Sequence, residues 1–235
     1  MKKNLIPFFF LLFLSGYSLA TETCALPKKI KQPELQPIDC QNNAAPDYYA
    51  LALTWSPQFC STVNKRSPKY AFQCSQNQFK FAVHGLWPQK AFATDKCQHP
   101  RNCGSSLVES ETIKKVLCTI PSESLIQGEW QKHGTCSGMT SDAYFQKTNE
   151  LWNNLKKPDI ETLLDAQGST TVGAIITAFA QANKSLKLSK NAIAIQTSND
   201  VFDEILICYD AAYKFTACKM NKAPNNKIIK VTRAQ

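Results

Sequence analysis

Ten cysteines, spread unevenly from Cys24 to Cys218, constrain this chain more than any other feature of its sequence. That many thiols in 235 residues point to an oxidising compartment, where they pair rather than stay free. The other common use of clustered cysteines is zinc binding. That needs paired Cys-x-x-Cys knuckles, and the closest spacing here, Cys97 to Cys103, does not match. A chain of this length buries roughly 70% of its unfolded surface. The bridges therefore supplement a hydrophobic core rather than replace one. Spacing alone does not choose among the possible pairings.

The N-terminus agrees with export. Lys2-Lys3, the apolar run Leu5 to Leu14, and the small residues Ser18 and Ala20 read as a signal peptide over residues 1–20, cut after Ala20. The run is short for a bilayer span and is interrupted by Ser15-Gly16, and no later segment is apolar enough to span. The protein is expected in the periplasm or outside the cell, with no membrane partner. Its formal net charge of +9 suggests an anionic partner: nucleic acid, anionic lipid or acidic glycan.

Residues 21–47 are rich in Pro, Gln and Lys without a clean period, and read as an irregular arm closed by Cys24 and Cys40. Strands are expected over residues 48–55 and 79–83. Helices are expected over 105–119, 129–136, 141–157 and 170–182, the third capped by Ser141-Asp142 and ended by Pro158. Strands follow over 192–196, 201–209, 213–218 and 227–232. Helices in the middle and strands at both ends predict one α+β domain over residues 48–235. Its sheet is mostly antiparallel, packed against several helices and stabilised by disulfides. No linker or repeat divides it.

The chain has three histidines. His99 sits between Cys97 and Cys103 and reads as an exposed loop residue without a catalytic role. His84 opens His84-Gly85-Leu86-Trp87-Pro88, and Gly85 permits a sharp turn or close approach. His133 lies in Gly128-Glu129-Trp130-Gln131-Lys132-His133-Gly134-Thr135-Cys136. If residues 129–133 are helical, Glu129, Lys132 and His133 share a face. A carboxylate, an ammonium and an imidazole together suit proton transfer beside a phosphate. A surface Glu–Lys or Glu–His helix pair is the plainer alternative for that segment, and a satisfied structural histidine is the plainer one for His84. Trp87 offers a flat face for a base, although a core tryptophan is the commoner outcome.

Taken together, the HGLWP and EWQKHGTC segments resemble the two active-site segments of the ribonuclease T2 family, secreted metal-independent endoribonucleases. Trp55-Ser56-Pro57-Gln58-Phe59-Cys60 is similar to that family's early Trp-x-Pro-x-x-Cys stretch. The resemblance implies that His133 is the base on the ribose 2′-hydroxyl and that His84 protonates the departing 5′-oxygen. Lys132 and Glu129 would assist at the phosphorus, and Trp87 would stack a base. The expected products are a 2′,3′-cyclic phosphate and then a 3′-phosphate. RNA is then the only expected partner, with no metal, no cofactor and a single copy of the chain. It also implies that Cys136 pairs with Cys97 or Cys103. Cys60 with Cys74 and Cys208 with Cys218 are plausible further pairs.

Two positions depart from the family pattern. Gly128 stands where a phosphate-contacting histidine is common, which implies weaker phosphate binding or a lower rate. Gln89 stands where an acidic base-reading residue is common, which implies a different base preference. Gly128 motivates the competing expectation of an RNA-binding or toxic protein that kept the fold and lost turnover, against which the retained His84, Glu129, Lys132 and His133 argue. A basic module for membranes or glycans is a third reading, and it leaves the paired segments unexplained.

Overall fold

A computed structural model of the chain describes residues 24–234. The expected signal peptide lies outside the described residues. The domain is α+β. Its six strands are β1 (Tyr48–Trp55), β2 (Phe81–Gln89), β3 (Ser169–Thr171), β4 (Ile193–Ser198), β5 (Val201–Tyr209) and β6 (Ile228–Lys230). They form one sheet in the order β2-β1-β5-β6-β3, with β4 also paired to β5. Every pairing is antiparallel except the single β5–β6 contact. The helices are α1 (Ser56–Ser61), α2 (Ser110–Val116), α3 (Glu123–Lys132), α4 (Ser141–Asn154) and α5 (Val172–Ala182).

Alternation along the strands divides the interior. Leu51, Leu53 and Trp55 of β1 and Ile205 and Ile207 of β5 join the main core. That core includes Ile126 and Trp130 of α3, Tyr144 and Phe145 of α4 and Phe179 of α5. The intervening residues Tyr48, Ala50, Ala52, Leu206 and Cys208 form a smaller cluster that also holds Trp87. Small alanines on that side leave room for the large indole.

Several elements differ from the sequence expectation. The strand expected to stop at Val83 continues to Gln89 and carries the whole HGLWP segment. It can include Pro88 because β2 is an edge strand, where a missing N–H is tolerated. The first long helix is confined to Ser110–Val116. The chain before it is held extended by the Gln127 side chain, which accepts from Val108 N at 2.9 Å and donates to Ser106 O at 3.0 Å. The helix expected over residues 129–136 starts earlier, at Glu123, with Ser122 as its cap, and ends at Lys132. Thr140, rather than Ser141-Asp142, caps α4. Residues 213–218 do not form a strand. Asp210 accepts from the backbone of Ala212 and Lys214, Tyr213 turns at φ 58°, and only a Tyr209–Phe215 bridge remains.

The arm is not closed on itself. Cys24 pairs with Cys118 and Cys40 with Cys97, so both its ends are fastened to the domain. Cys60–Cys74, Cys103–Cys136 and Cys208–Cys218 complete the set, and no described cysteine is free. The Cys103–Cys136 bridge settles which of the two candidates Cys136 takes.

Candidate active site

His84 is aimed by an irregularity in the sheet. Ala52 pairs with Gly85, but the next residue, Leu53, pairs with Val83, so His84 is the extra residue of a bulge. A bulge bends its strand and redirects one side chain, a common device beside active sites. Gly85 follows at full burial because Glu129 and the Trp87 indole occupy the space a side chain would need.

α3 brings the second segment to the same place. Glu129 and Lys132 lie in its last turn, and His133 is its C-cap, its backbone N–H donating to Glu129 O at 2.9 Å. The turn Gly134–Cys136 then leads into the Cys103–Cys136 bridge, and Asn102 N donates to Lys132 O at 2.9 Å. The loop around residue 102 and the end of α3 are thereby tied together.

Glu129 is the centre of the arrangement and is only 3% exposed. Trp87 Nε1 donates to its Oε2 at 2.8 Å. His84 Nε2 lies 3.5 Å from Oε1 and His133 Nε2 lies 4.0 Å from Oε2. The Trp87 ring also stands beside both imidazoles, with centroids 5.2 Å from His84 and 5.6 Å from His133. The two histidines, 49 positions apart in the sequence, therefore meet at one carboxylate and one indole. Among the described residues the Lys132 ammonium makes no hydrogen bond or ion pair, so its charge is open to an anion.

Their electrostatics differ in sign. Desolvation works against a charge on His84. The Glu129 carboxylate and the Glu204 carboxylate, which accepts from Nδ1, outweigh it and push the ring up to about 9. Burial drives His133 the other way, well below the ordinary imidazole value, and the cations Arg101 and Lys132 add to the effect. Its Nδ1 is buried without a hydrogen-bond partner among the described residues. Burial also raises the Glu129 carboxyl, against the opposing pull of His84, the Trp87 N–H and Lys132.

Two clefts open beside these residues. One, of about 380 Å³, is bounded by Trp87, His133, Gln89, His99, Arg101 and Gln196. The other, of about 540 Å³, is bounded by Phe59, Lys69, Tyr70, Gly128 and Asp203, with Gln36 and Pro37 from the arm. His84, Glu129 and Lys132 line both. Gln89 faces the first cleft but is buried, its amide turned to Pro88 O at 3.2 Å. His99 is half-buried rather than exposed. It lines the first cleft, and its Nδ1 accepts from Lys90 N at 3.1 Å. Among the described residues no group of three or more His, Cys, Asp or Glu side chains is arranged to hold a metal ion.

Sequence reasoning missed Glu204. Its signal was partial: the strand Val201–Tyr209 carries two adjacent carboxylates, Asp203 and Glu204, alternation turns one of them inward, and a carboxylate at a position 5% exposed, as Glu204 is, calls for a buried partner.

The model of the ribonuclease T2 family matches residues 46–218, and the chain belongs to that family. It is 37% identical over 190 residues to a probable ribonuclease of Haemophilus influenzae, covering 76% of this chain and 64% of that protein. It is 35% identical over 112 residues to a ribonuclease of Aeromonas hydrophila, covering 48% and 47% respectively. The chain thus spans less than two thirds of the length of both relatives. The fold matches an RNase-related protein from Calystegia sepium with TM-score 0.61 at 22% identity, covering 80% of this chain and 97% of that one.

Proposed function

We propose that this protein is an endoribonuclease that cuts single-stranded RNA by attack of the ribose 2′-hydroxyl on the adjacent phosphorus. The observation that carries the reading is the pair of imidazoles held at one buried carboxylate with opposite tendencies to bind a proton. His133, kept neutral, takes the 2′-hydroxyl proton as the O2′–P bond forms. His84, kept charged, gives its proton to the 5′-oxygen as the P–O5′ bond breaks. Lys132 offsets the charge that builds on the phosphorane oxygens. Glu129 holds both rings and is itself held by Trp87.

The phosphate sits at the residues common to both clefts, with one nucleoside in each. Trp87 keeps a partly open ring on the first cleft, so base stacking is compatible with its hydrogen bond to Glu129. DNA lacks the nucleophile and is not a substrate. The positive charge draws in the polyanion. The protein works as an exported single chain, without a metal, a cofactor or a membrane, and its five bridges suit that compartment.

The alternative of a binding protein without turnover is not favoured, because Gly128 removes one phosphate contact and leaves the acid, base, carboxylate and ammonium in place. Incubation with RNA in EDTA tests the reading. Cleavage to cyclic or 3′-phosphate ends supports it, and binding without cleavage contradicts it. His84→Ala and His133→Ala each lower turnover by about 10²–10⁴-fold if the roles are right.

A further inference from the structure

The arm forms part of the wall of the second cleft, and it lies outside residues 46–218, the stretch that the family model matches. Its place along α3 does not depend on the Gln36 side chain. Gln131, 2% exposed, accepts from Gln36 N at 2.9 Å through Oε1 and donates to Gln36 O at 2.7 Å through Nε2. Lys31 N donates to Glu123 Oε1 at 2.7 Å, and Gln32 Nε2 donates to Val108 O at 2.9 Å. The bridges Cys24–Cys118 and Cys40–Cys97 hold the two ends.

The Gln36 side chain itself lies over Gly128, where a Cβ would meet only Gln36 Cγ, at 3.8 Å. Gly128 and Lys132 are four residues apart on α3 and share a face, so the carboxamide stands one turn from the ammonium at the phosphate site. Its Nε2 donates one hydrogen to Glu34 O at 3.1 Å. Among the described residues the second hydrogen and Oε1 have no partner, so the exposed side chain keeps one donor and one acceptor. Phe59 and Tyr70, half-buried and edge-to-face at 5.7 Å, line the same cleft and offer ring surface to a base.

The two clefts are not equivalent. His133 lines the first and not the second, whereas His84 lines both. With His133 as the base, the ribose that supplies the 2′-hydroxyl occupies the first cleft. The nucleoside that departs with the 5′-oxygen then occupies the second, beside Gln36.

We propose that Gln36 is a specificity-determining residue for the departing nucleoside, its carboxamide reading the edge of that base in the second cleft. The inference rests on the ribonuclease reading above and deepens it. A phosphate offers acceptors alone and would leave Oε1 unmatched, and Lys132 already serves it. A base edge carries donors and acceptors side by side, which is what a free amide matches. A base whose edge does not fit leaves the amide unpaired against it, so the four bases depart at different rates.

The test uses substrates that share one 5′ nucleoside and differ only beyond the phosphate. They are the dinucleoside monophosphates ending in A, G, C or U, and the nucleoside 3′-methyl phosphate, which leaves the second cleft empty. For each dinucleoside, kcat/KM is read relative to the methyl ester. In the wild-type protein this ratio should spread at least about tenfold across the four bases. Gln36→Ala should narrow the spread to about threefold or less. Gln36→Glu keeps an acceptor and loses the donor, so it should reorder the four bases rather than equalise them. Equal ratios for the four bases in the wild-type protein, an unchanged spread and order in both variants, or a uniform loss on all four, as a phosphate contact or a purely structural role would give, would overturn the inference and leave the ribonuclease reading standing. Failure of the wild-type protein to cleave RNA would overturn that reading first, and this inference with it.

Discussion

Gly85 and Glu129 leave no room between them: a Cβ on Gly85 would stand 1.9 Å from Glu129 Oε2 and 2.6 Å from the Trp87 Nε1 that donates to it. The carboxylate cannot yield without losing the tryptophan bond and its position between the two histidines. Gly85→Ala is expected to destabilise the fold by about 1–3 kcal/mol through overpacking and to lower turnover by at least about 10²-fold through Glu129. Gly128 provides the contrast. A Cβ there meets only Gln36 Cγ at 3.8 Å, and the residue lies inside α3, so Gly128→Ala should stabilise by about 0.5–1 kcal/mol. Urea unfolding and steady-state kinetics on the two variants separate the cases.

Cleavage should show a broad pH plateau rather than the narrow bell that two unperturbed imidazoles titrating near about 6.5 would give. His133 must be neutral, and its affinity for protons is depressed, so the acid limb falls well below the ordinary imidazole range. His84 must be charged, so activity persists until its ring titrates at about 9. The same shifts set the pH dependence of stability. The contribution from His84 is fully present below the unfolded value of about 6.5 and is lost as pH rises toward 9. Burial of neutral His133 makes stability fall as pH drops below about 6.5, where the unfolded ring takes a proton. Rate profiles and thermal midpoints across pH check both. A bell centred on the ordinary imidazole value would contradict the shifts.

The Cys103–Cys136 bridge closes a loop across 33 residues and ends three positions beyond His133. Replacing both cysteines by alanine should cost about 3–4 kcal/mol and lower kcat more than it raises KM, because the end of α3 loses one of its ties. Removing Cys208–Cys218, with a separation of 10, should cost less, about 2–3 kcal/mol, and leave kcat near wild type. Denaturant midpoints and kinetics on the two double variants check the difference.

What the sequence made legible follows from how local each signal is. His84, Glu129, Lys132 and His133 sit in two short segments whose chemistry is unusual enough to stand out, and the turn of helix that joins the last three is a local property. The strands at residues 48–55 and 201–209 were legible for the same reason. Glu204 was not, because its partner is 120 positions away and nothing within β5 indicates which residue it faces. The true ends of β2 and α2 were hidden as well. One depends on an edge position that tolerates Pro88, the other on a long-range side chain, Gln127, that keeps the preceding backbone from closing into a helix. The anchoring of the arm to Cys118 and Cys97 likewise follows from the closed fold and not from spacing.

The central assignment, His133 as base and His84 as acid, is tested most directly by changing the leaving group. A nucleoside 3′-(p-nitrophenyl phosphate) expels an anion that needs no proton, while RNA expels a ribose alkoxide that does. His84→Ala should lose about 10²–10⁴-fold on RNA and less than about tenfold on the nitrophenyl ester, whereas His133→Ala should lose about 10²–10⁴-fold on both. Equal losses for both variants on both substrates, or rescue of His133→Ala instead, would contradict the assignment.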